Sequence, residues 1–331
     1  MQTGNLHTAA DDERYMRRCL QLARRGEYGA PPNPMVGAVI VCQGRILGEG
    51  YHTRCGEAHA EVNAINGVRE KDLPLLREST LYVSLEPCSH QGKTPPCAEL
   101  ILRTGIPRVV VGCEDPFARV QGRGIRRLRD GGVEVSVGIL REECRALNRR
   151  FITFHENRRP YITLKWAVSR DGFIDRWRED NAEGTLPPAT LSTAYTQISV
   201  HHLRARHQAI LVGHSTLRLD RPRLTLRRWA GHEPLKVVLG RVAEGELPAG
   251  WQAYADIETL IGSLHRQGIQ SLLVEGGAQT LQSFIDAGLW DEAQEELSAA
   301  VLGSGVPAPK MPVGAERTME TRWGVAFTHW N

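Results

Sequence analysis

The sequence predicts an α/β protein with two domains, and three observations support this. Short apolar runs such as LYVSLEP and RVVVGCE alternate with amphipathic segments such as CAELILRTG, a pattern typical of a sheet covered by helices. The alternation resumes after a polar segment near Asn157. The length of 331 residues suffices for about two domains of ordinary size.

The first domain is expected to cover residues 1–157. It should open with a helix from Asp11 to Arg25, since Thr8 and Asp11 are placed like a capping box. Further strands are predicted at MVGAVIV, RILGEGYH, LYVSLEP, RVVVGCE and VEVSVGI, and helices at His59, CAELILRTG, RGIRRLRDGG and Arg141.

The second domain is expected to cover residues 158–331. Strands are predicted at YITLKWAVS, AILVG, LKVVLG and SLLV, with one helix ending near LRARH and another following the glycine pair after SLLV. The polar run RWREDNAEGTLPP is read as an exposed loop.

Composition narrows the class of protein. A hydrophobic content of 41% and a charged content of 24% are typical of globular proteins. The N-terminus lacks an apolar leader, and no segment approaches the roughly 18 apolar residues of a membrane span. We therefore expect a cytoplasmic protein without membrane contact. The formal charge of +3 does not indicate a nucleic-acid binder.

All seven cysteines lie in the first half, and an odd number in a reducing compartment argues against a disulfide framework. Three residues there, His59, Cys88 and Cys97, match the ligand set of catalytic zinc, which keeps its fourth position for water. Glu61 follows His59 by two residues and would move protons for the activated water. Because positions i and i+2 face apart within a helix, this pair requires the first helical turn.

Other ligand assignments stay open at this point. Cys55, His52 and His90 are alternative ligands, although each would fill the position that catalysis needs. A structural zinc module with a fourth protein ligand is a further alternative.

The HAE motif followed by a Pro-Cys pair resembles the zinc-dependent cytidine deaminase superfamily, in which the glutamate is not a ligand. Eight residues separate the two cysteines of PCSHQGKTPPC, whereas the base-editing branch has two. With PPNPMVGAVIV upstream and EDPFARVQGRGI downstream, the chain is similar to the deaminase half of the bifunctional riboflavin-biosynthesis deaminase/reductase family. The alternative of a nucleic-acid base deaminase fits the long loop less well.

The resemblance implies a cytidine-deaminase-like three-layer domain that acts on a phosphorylated aminopyrimidine. Zinc would be held by His59, Cys88 and Cys97, with Glu61 as the catalytic proton shuttle. Substrate contacts are implied for Asn33, Lys93 and Asp115; turn formation next to proline is the alternative role of Asn33 and Asp115, and Lys93 has the alternative of a solvated loop lysine. Phe117 departs from the asparagine that many members have there.

A second group of residues lies between His214 and Arg228, where several arginines surround a turn at Asp220. The planar fork of arginine suits phosphate recognition. The glycine pair after SLLV would let backbone N–H groups approach a phosphate at a helix N-terminus. A solvated basic face is the alternative interpretation.

KWAVSRDG, AILVG and VEGG resemble the reductase half of the same family, which has a dihydrofolate-reductase-like α/β domain and uses NADPH to reduce the ribose to a ribityl chain. The resemblance implies cofactor contacts at Ala167, Thr216, Asp220, Gly277, Ala278, Gln279, Thr280, Leu281, Gln282 and Ser283. It implies substrate contacts at Arg204, Leu224, Arg227 and Glu275; capping for Glu275 and a helix-end charge for Arg204 are the alternatives. It also implies a homo-oligomer.

This half departs from the family at three places. Thr190, Leu191 and Ser192 replace the usual Trp-Ile-Thr, Arg221 stands where the family has Asp or Asn, and the run DEAQEELSAAVLG is more polar than the expected strand. A deaminase with a degenerate reductase domain is therefore an alternative to the bifunctional enzyme.

Overall fold

The computed structural model describes residues 8–89, 95–117, 121–178 and 186–331. The chain divides into two compact units, Met1–Asn157 and Arg158–Asn331. Within the described residues no helix is long and apolar enough to cross a membrane.

The first unit contains one mixed sheet with helices on both faces. Its elements are α1 (Ala9–Ala23), β1 (Gly37–Cys42), β2 (Arg45–Tyr51), α2 (Ala60–Asn66), β3 (Thr80–Leu85), α3 (Cys97–Thr104), β4 (Arg108–Cys113), α4 (Arg123–Asp130), β5 (Glu134–Val137), α5 (Arg141–Leu147) and α6 (Arg149–Asn157). The strand order is β2-β1-β3-β4-β5. Strand β1 runs antiparallel to β2 and β3, whereas β3, β4 and β5 are parallel.

The three layers follow from side-chain alternation along the buried strands. Ile40 and Val109 face a core with α2, α3 and α4, whereas Val39 and Val110 face a second core with α1 and α5. The predicted capping box of α1 is present: the hydroxyl of Thr8 accepts the backbone N–H of Asp11, and the Asp11 carboxylate accepts from Thr8.

The second unit contains an eight-stranded sheet in the order β10-β9-β8-β11-β6-β12-β15-β14. Its elements are β6 (Tyr161–Val168), β7 (Phe173–Asp175), α7 (Ala194–Ala205), β8 (Ala209–Gly213), α8 (His214–Asp220), β9 (Leu235–Leu239), β10 (Gln252–Tyr254), α9 (Ile257–Arg266), β11 (Ser271–Val274), α10 (Ala278–Asp286), β12 (Glu292–Leu297), β13 (Val306–Pro307), β14 (Arg317–Arg322) and β15 (Val325–Trp330). The strands from β10 to β12 are parallel, and β15 and β14 add two antiparallel strands.

The polar run that departs from the family forms β12, a strand beside β6. Its glutamates find partners that an apolar strand would not need. The carboxylate of Glu292 accepts a bond of 2.8 Å from the Thr163 hydroxyl, and Glu295 accepts one of 2.8 Å from the indole N–H of Trp166. Because these half-buried carboxylates are hydrogen-bonded to side chains of β6, the strand accommodates polar residues where apolar ones were expected.

Candidate functional site: a zinc centre and a second cleft

His59 and Glu61 of the HAE motif lie at the start of α2. His59 is the N-cap, with extended backbone angles of φ −71° and ψ 166°, and Glu61 lies in the first turn. An N-cap residue is not yet helical, so the separation expected of i and i+2 inside a helix does not apply. The geometric condition derived from the sequence is met.

Close packing between α2 and β2 determines where this turn lies. A Cβ on Gly48 would stand 2.2 Å from the Ala64 carbonyl oxygen, and a Cβ on Gly50 would stand 2.4 Å from that of Ala60. Any other side chain would overlap backbone atoms, so glycine at both positions lets the helix lie against the strand. This contact holds the ligand-bearing turn close to the sheet.

Three side chains meet at this turn. Cys88 follows β3, Cys97 is the first residue of α3, and the Nδ1 atom of His59 lies 3.5 Å from Sγ of Cys88 and 3.4 Å from Sγ of Cys97. A tetrahedral zinc with Zn–S of about 2.3 Å and Zn–N of about 2.0–2.1 Å requires N···S separations of about 3.6 Å. The donor set and its spacing therefore fit zinc.

The protonation of the two thiols favours metal binding at Cys88. The side chain of Cys97, its backbone N–H at 3.3 Å and His59 stabilise the Cys88 thiolate and lower the pKa of Cys88. The neighbouring Cys88 and burial raise the pKa of Cys97. One proton is therefore shared between the sulfurs, and binding of a cation would release it.

Glu61 is a buried carboxyl group beside these ligands. It is 3% exposed, and burial, followed by the nearby Cys88, raises the pKa of Glu61 to about 7. A carboxyl group with a pKa near neutrality can both accept and return a proton under physiological conditions. The side chain thus has the property that the sequence motif requires of a proton shuttle.

Two of the alternative ligands, His52 and Cys55, do not join this cluster. Among the described residues, the group with metal-ligand spacing consists of His59, Cys88 and Cys97, and Cys55 is exposed. His90 lies outside the described residues, as does Lys93.

His52 instead forms a link to Asn33. Its Nε2 lies 3.1 Å from Nδ2 of Asn33, and its Nδ1 lies 3.1 Å from the Ala58 carbonyl oxygen. The carbonyl accepts only, so Nδ1 carries the proton and Nε2 accepts from the amide. Burial lowers the pKa of His52, which favours this neutral form. The role of His52 was missed from the sequence because no motif signals a histidine that orients an amide.

Asp115 lies after β4, at the same carboxyl edge of parallel strands as Cys88. It is buried, and burial raises the pKa of Asp115 to about 6 although its carboxylate accepts a bond from the Phe117 N–H. The Phe117 ring packs 5.0 Å from the His155 ring. The departure at Phe117 thus adds an aromatic contact within the first unit.

The second candidate site is a cleft of about 400 Å³ in the second unit, here named the second cleft, and it lies at the carboxyl ends of parallel strands. Several residues expected to contact the cofactor or the substrate line it, namely Ala167, Thr216, Asp220, Glu275 and Gly277, together with the variant residues Thr190, Leu191 and Ser192. The hydroxyl of Thr216 accepts the backbone N–H of Gly277 at 3.2 Å, which brings the starts of α8 and α10 together. Carboxyl edges of parallel sheets are the usual location of nucleotide cofactors, and these residues fit NADPH.

The other expected contact residues of this unit are distributed differently. The side chains of Leu224 and Leu281 are buried in the cores, which leaves their backbone atoms for a ligand. Arg227 and Gln279 are exposed. Along α10, Ala278, Thr280, Gln282 and Ser283 are partly exposed, with Gln282 bonded to the Lys310 N–H and Ser283 to the Thr280 carbonyl.

Two of the expected substrate residues form an ion pair with each other. Nε and Nη2 of Arg204 lie 3.0 Å and 2.6 Å from the two oxygens of Glu275. Burial disfavours the charged guanidinium, but the Glu275 carboxylate outweighs this and raises the pKa of Arg204. Asp220 similarly pairs with Arg178 at 2.6 Å. Charged groups at this cleft are thus balanced in pairs.

Lys165 of β6 also lines the cleft and was missed from the sequence. Its ammonium group lies 3.5 Å from the fully buried carboxylate of Glu296, which accepts a bond of 2.8 Å from the Ser192 hydroxyl. The signal was a lysine inside an otherwise apolar strand, YITLKWAVS. Ser192, one of the departures from the family, therefore has a partner in this network.

Comparison with known proteins gives the family. Residues 9–113 match the cytidine and deoxycytidylate deaminase zinc-binding region, and residues 160–318 match the RibD C-terminal domain. The riboflavin biosynthesis protein RibD of Bacillus amyloliquefaciens is 37% identical over 339 residues, covering 92% of this chain and 88% of that protein. RibD of Escherichia coli is 35% identical, with 88% and 89% covered.

A solved structure agrees with these relatives. The Thermotoga maritima diaminohydroxyphosphoribosylaminopyrimidine deaminase/5-amino-6-(5-phosphoribosylamino)uracil reductase is 32% identical and has a TM-score of 0.85, with 98% of this chain and 99% of that chain covered. The predicted fold class, a cytidine-deaminase-like domain followed by a dihydrofolate-reductase-like domain, is confirmed, as are the zinc and NADPH cofactors. This chain belongs to the riboflavin biosynthesis protein RibD family.

Proposed function

We propose that this chain catalyses two consecutive steps of riboflavin biosynthesis. Residues 1–157 would deaminate 2,5-diamino-6-(5-phosphoribosylamino)pyrimidin-4-one by hydrolysis, and residues 158–331 would reduce its ribose to a ribityl chain with NADPH. The observation that carries the proposal is the cluster of His59, Cys88 and Cys97 beside the buried carboxyl group of Glu61.

In the first unit, the ligand set leaves one position of a tetrahedral ion open for water, and zinc supplies Lewis-acid activation of that water when bound. Glu61 takes a proton from the water and delivers it to the leaving amine, a role supported by its pKa of about 7. Asn33, held by His52, is proposed to orient the pyrimidine. Lys93 and Asp115 are proposed to contact the phosphoribosyl arm.

In the second unit, NADPH supplies the reducing equivalents when bound. Ala167, Thr216, Asp220 and the run from Gly277 to Ser283 are proposed to hold the cofactor. Arg204, Leu224, Arg227 and Glu275 are proposed to bind the phosphorylated substrate. Four of the proposed cofactor contacts line the second cleft together with Glu275, namely Ala167, Thr216, Asp220 and Gly277. This shared location supports the assignment.

The test of the deaminase is the Glu61→Gln variant. We expect purified protein to contain about one zinc per chain and to release ammonia from the aminopyrimidine phosphate. Glu61→Gln should keep the zinc and lose about 10²–10⁴-fold in rate. Glu57→Gln, which removes an exposed carboxylate on the preceding turn, is the matched control and should retain activity. Normal deamination by Glu61→Gln would contradict the mechanism.

A second candidate keeps the deaminase alone, and the observation favouring it is the replaced segment Thr190–Ser192 at the cleft. Oxidation of NADPH in the presence of the deaminated substrate decides between the two. Turnover supports the bifunctional enzyme, whereas deamination without NADPH oxidation supports the alternative.

We further propose that the protein works in the cytoplasm as a homo-oligomer that does not bind nucleic acid. The seven cysteines are free thiols, in keeping with a reducing compartment. Light scattering tests the oligomer. Binding of DNA or RNA that weakens steeply with salt would contradict the last point.

A further inference from the structure

Glu86 lies two residues before Cys88, and its side chain is hydrogen-bonded to the part of the chain that follows β4. Its side chain is buried, at 4% exposure, and its backbone N–H bonds to the Cys113 carbonyl at 2.9 Å. Its carboxylate accepts four backbone N–H bonds: from Asp115 at 3.3 Å and Gly122 at 2.9 Å on one oxygen, and from Gly124 at 2.9 Å and Ile125 at 3.3 Å on the other.

These bonds use the full accepting capacity of an ionised carboxylate, which offers about four lone-pair sites and no donor. The N-cap residue of α4, Gly122, has no side-chain capping bond of its own. Glu86, the residue after β3 and distant in sequence, therefore supplies the acceptors that the first turn of α4 requires. Bonds to a charged acceptor are stronger than neutral ones, and burial makes their loss costly.

The first turn of α4 packs closely against Glu86 and Pro87. A Cβ on Gly124 would stand 1.9 Å from the Pro87 carbonyl oxygen and 3.2 Å from Oε1 of Glu86. The start of α4 thus touches the backbone of the segment that leads to Cys88. Cys88 lies two residues after Glu86, and Asp115 donates to the same carboxylate. Glu86 therefore connects Asp115, through a hydrogen bond, to the chain segment that bears Cys88.

We propose that Glu86 is a positioning residue of the deaminase site. It fixes the loop bearing Asp115 relative to the metal ligands, so that the phosphoribosyl arm of the substrate meets Asp115 while the pyrimidine ring is at the metal. The inference rests on the proposed deaminase function. Because Asp115 would contact a part of the substrate that does not react, loosening the loop should weaken binding and leave the chemical step intact.

The experiment compares Glu86→Gln, Asp115→Asn and the double variant in the full-length zinc protein. Glutamine keeps the shape of the side chain but turns an NH₂ group toward two N–H donors. Hydrogen exchange of peptides covering residues 114–117 and 121–126 should become at least about tenfold faster in Glu86→Gln, since opening of the loop becomes easier. Glu99→Gln is the matched control, because the bond that Glu99 makes to α4 is with the exposed Arg127 side chain rather than with the backbone.

The kinetic arm measures KM and kcat separately for ammonia release. Glu86→Gln should raise KM about tenfold, with kcat within about threefold of the wild type and zinc content unchanged. In the Asp115→Asn background the same substitution should change KM by less than about twofold, because residues acting through one contact are not additive. A purely structural cap would lower activity by the same factor in both backgrounds.

Unchanged exchange in Glu86→Gln, a loss in kcat at constant KM, or full additivity with Asp115→Asn would each overturn the proposal. If Glu86→Gln does not fold, Glu86→Asp, which keeps the charge but retracts the carboxylate, should show the same faster exchange and higher KM; wild-type behaviour of that variant would overturn the proposal. Absence of deamination in the wild type would refute the proposed function, while the exchange measurement would still decide whether Glu86 holds the loop.

Discussion

Substitution of Arg204 or Glu275, the charged pair at the second cleft, should lower the stability of the second unit strongly, and the two effects should not be additive. Arg204 and Glu275 form two-point contacts of 2.6–3.2 Å, and their side chains are only 14% and 10% exposed. Removing one partner of a buried pair leaves an uncompensated charge, which costs about 3–5 kcal/mol. In a domain of this size, each kcal/mol of lost stability lowers the melting temperature by about 2–4 °C. Arg204→Met should therefore lower the melting temperature by about 6–20 °C.

Scanning calorimetry of four proteins measures this effect: the wild type, Arg204→Met, Glu275→Met and the double variant. The double variant should recover much of the loss, because replacing both charges by apolar side chains of similar volume is often nearly neutral. Glu233→Gln, which breaks an exposed pair with Lys236, is the control and should change stability by less than about 1 kcal/mol. Single variants that lose less than about 1 kcal/mol, or losses that simply add, would refute the reasoning.

Three further predictions concern the first unit. Gly50→Ala should lower the free energy of unfolding by about 1–3 kcal/mol and weaken zinc retention, because the new Cβ would stand 2.4 Å from the Ala60 oxygen. Gly262→Ala is the control, since its Cβ would meet the end of the flexible Arg266 side chain, and it should not destabilise the protein. Chemical denaturation and zinc analysis of both variants measure these effects. The pKa of Asp115 is about 6 in the folded state and about 4 in the unfolded state. The free energy of unfolding of the wild type, relative to that of Asp115→Asn, should therefore fall by up to about 3 kcal/mol as pH rises through this interval. A difference in urea midpoints between the two proteins that does not change with pH would contradict this. Cys88→Ala should reduce bound zinc well below one per chain, measured by atomic absorption after dialysis, because catalytic zinc requires three protein ligands.

Much of the zinc site was predictable because its chemistry is local. His59 and Glu61 are two residues apart, and the cysteines sit at the end of a predicted strand and the start of a predicted helix. Alternating apolar periods likewise predicted the main strands and helices. The polar strand β12 was harder to predict, because its glutamates are explained by partners such as Thr163 and Trp166, which lie about 130 residues away in sequence.

The sequence by itself determined the α/β class and the need for Glu61 in a first turn, because these depend on residue type and short spacing. It predicted His59, Cys88 and Cys97 as zinc ligands but left Cys55, His52 and His90 open as alternatives. Only the tertiary structure decided that His52 holds Asn33 and that Glu86 binds four backbone N–H groups. Such contacts join segments distant in sequence, and hydrogen bonds between them leave no periodic pattern by which a sequence could reveal them.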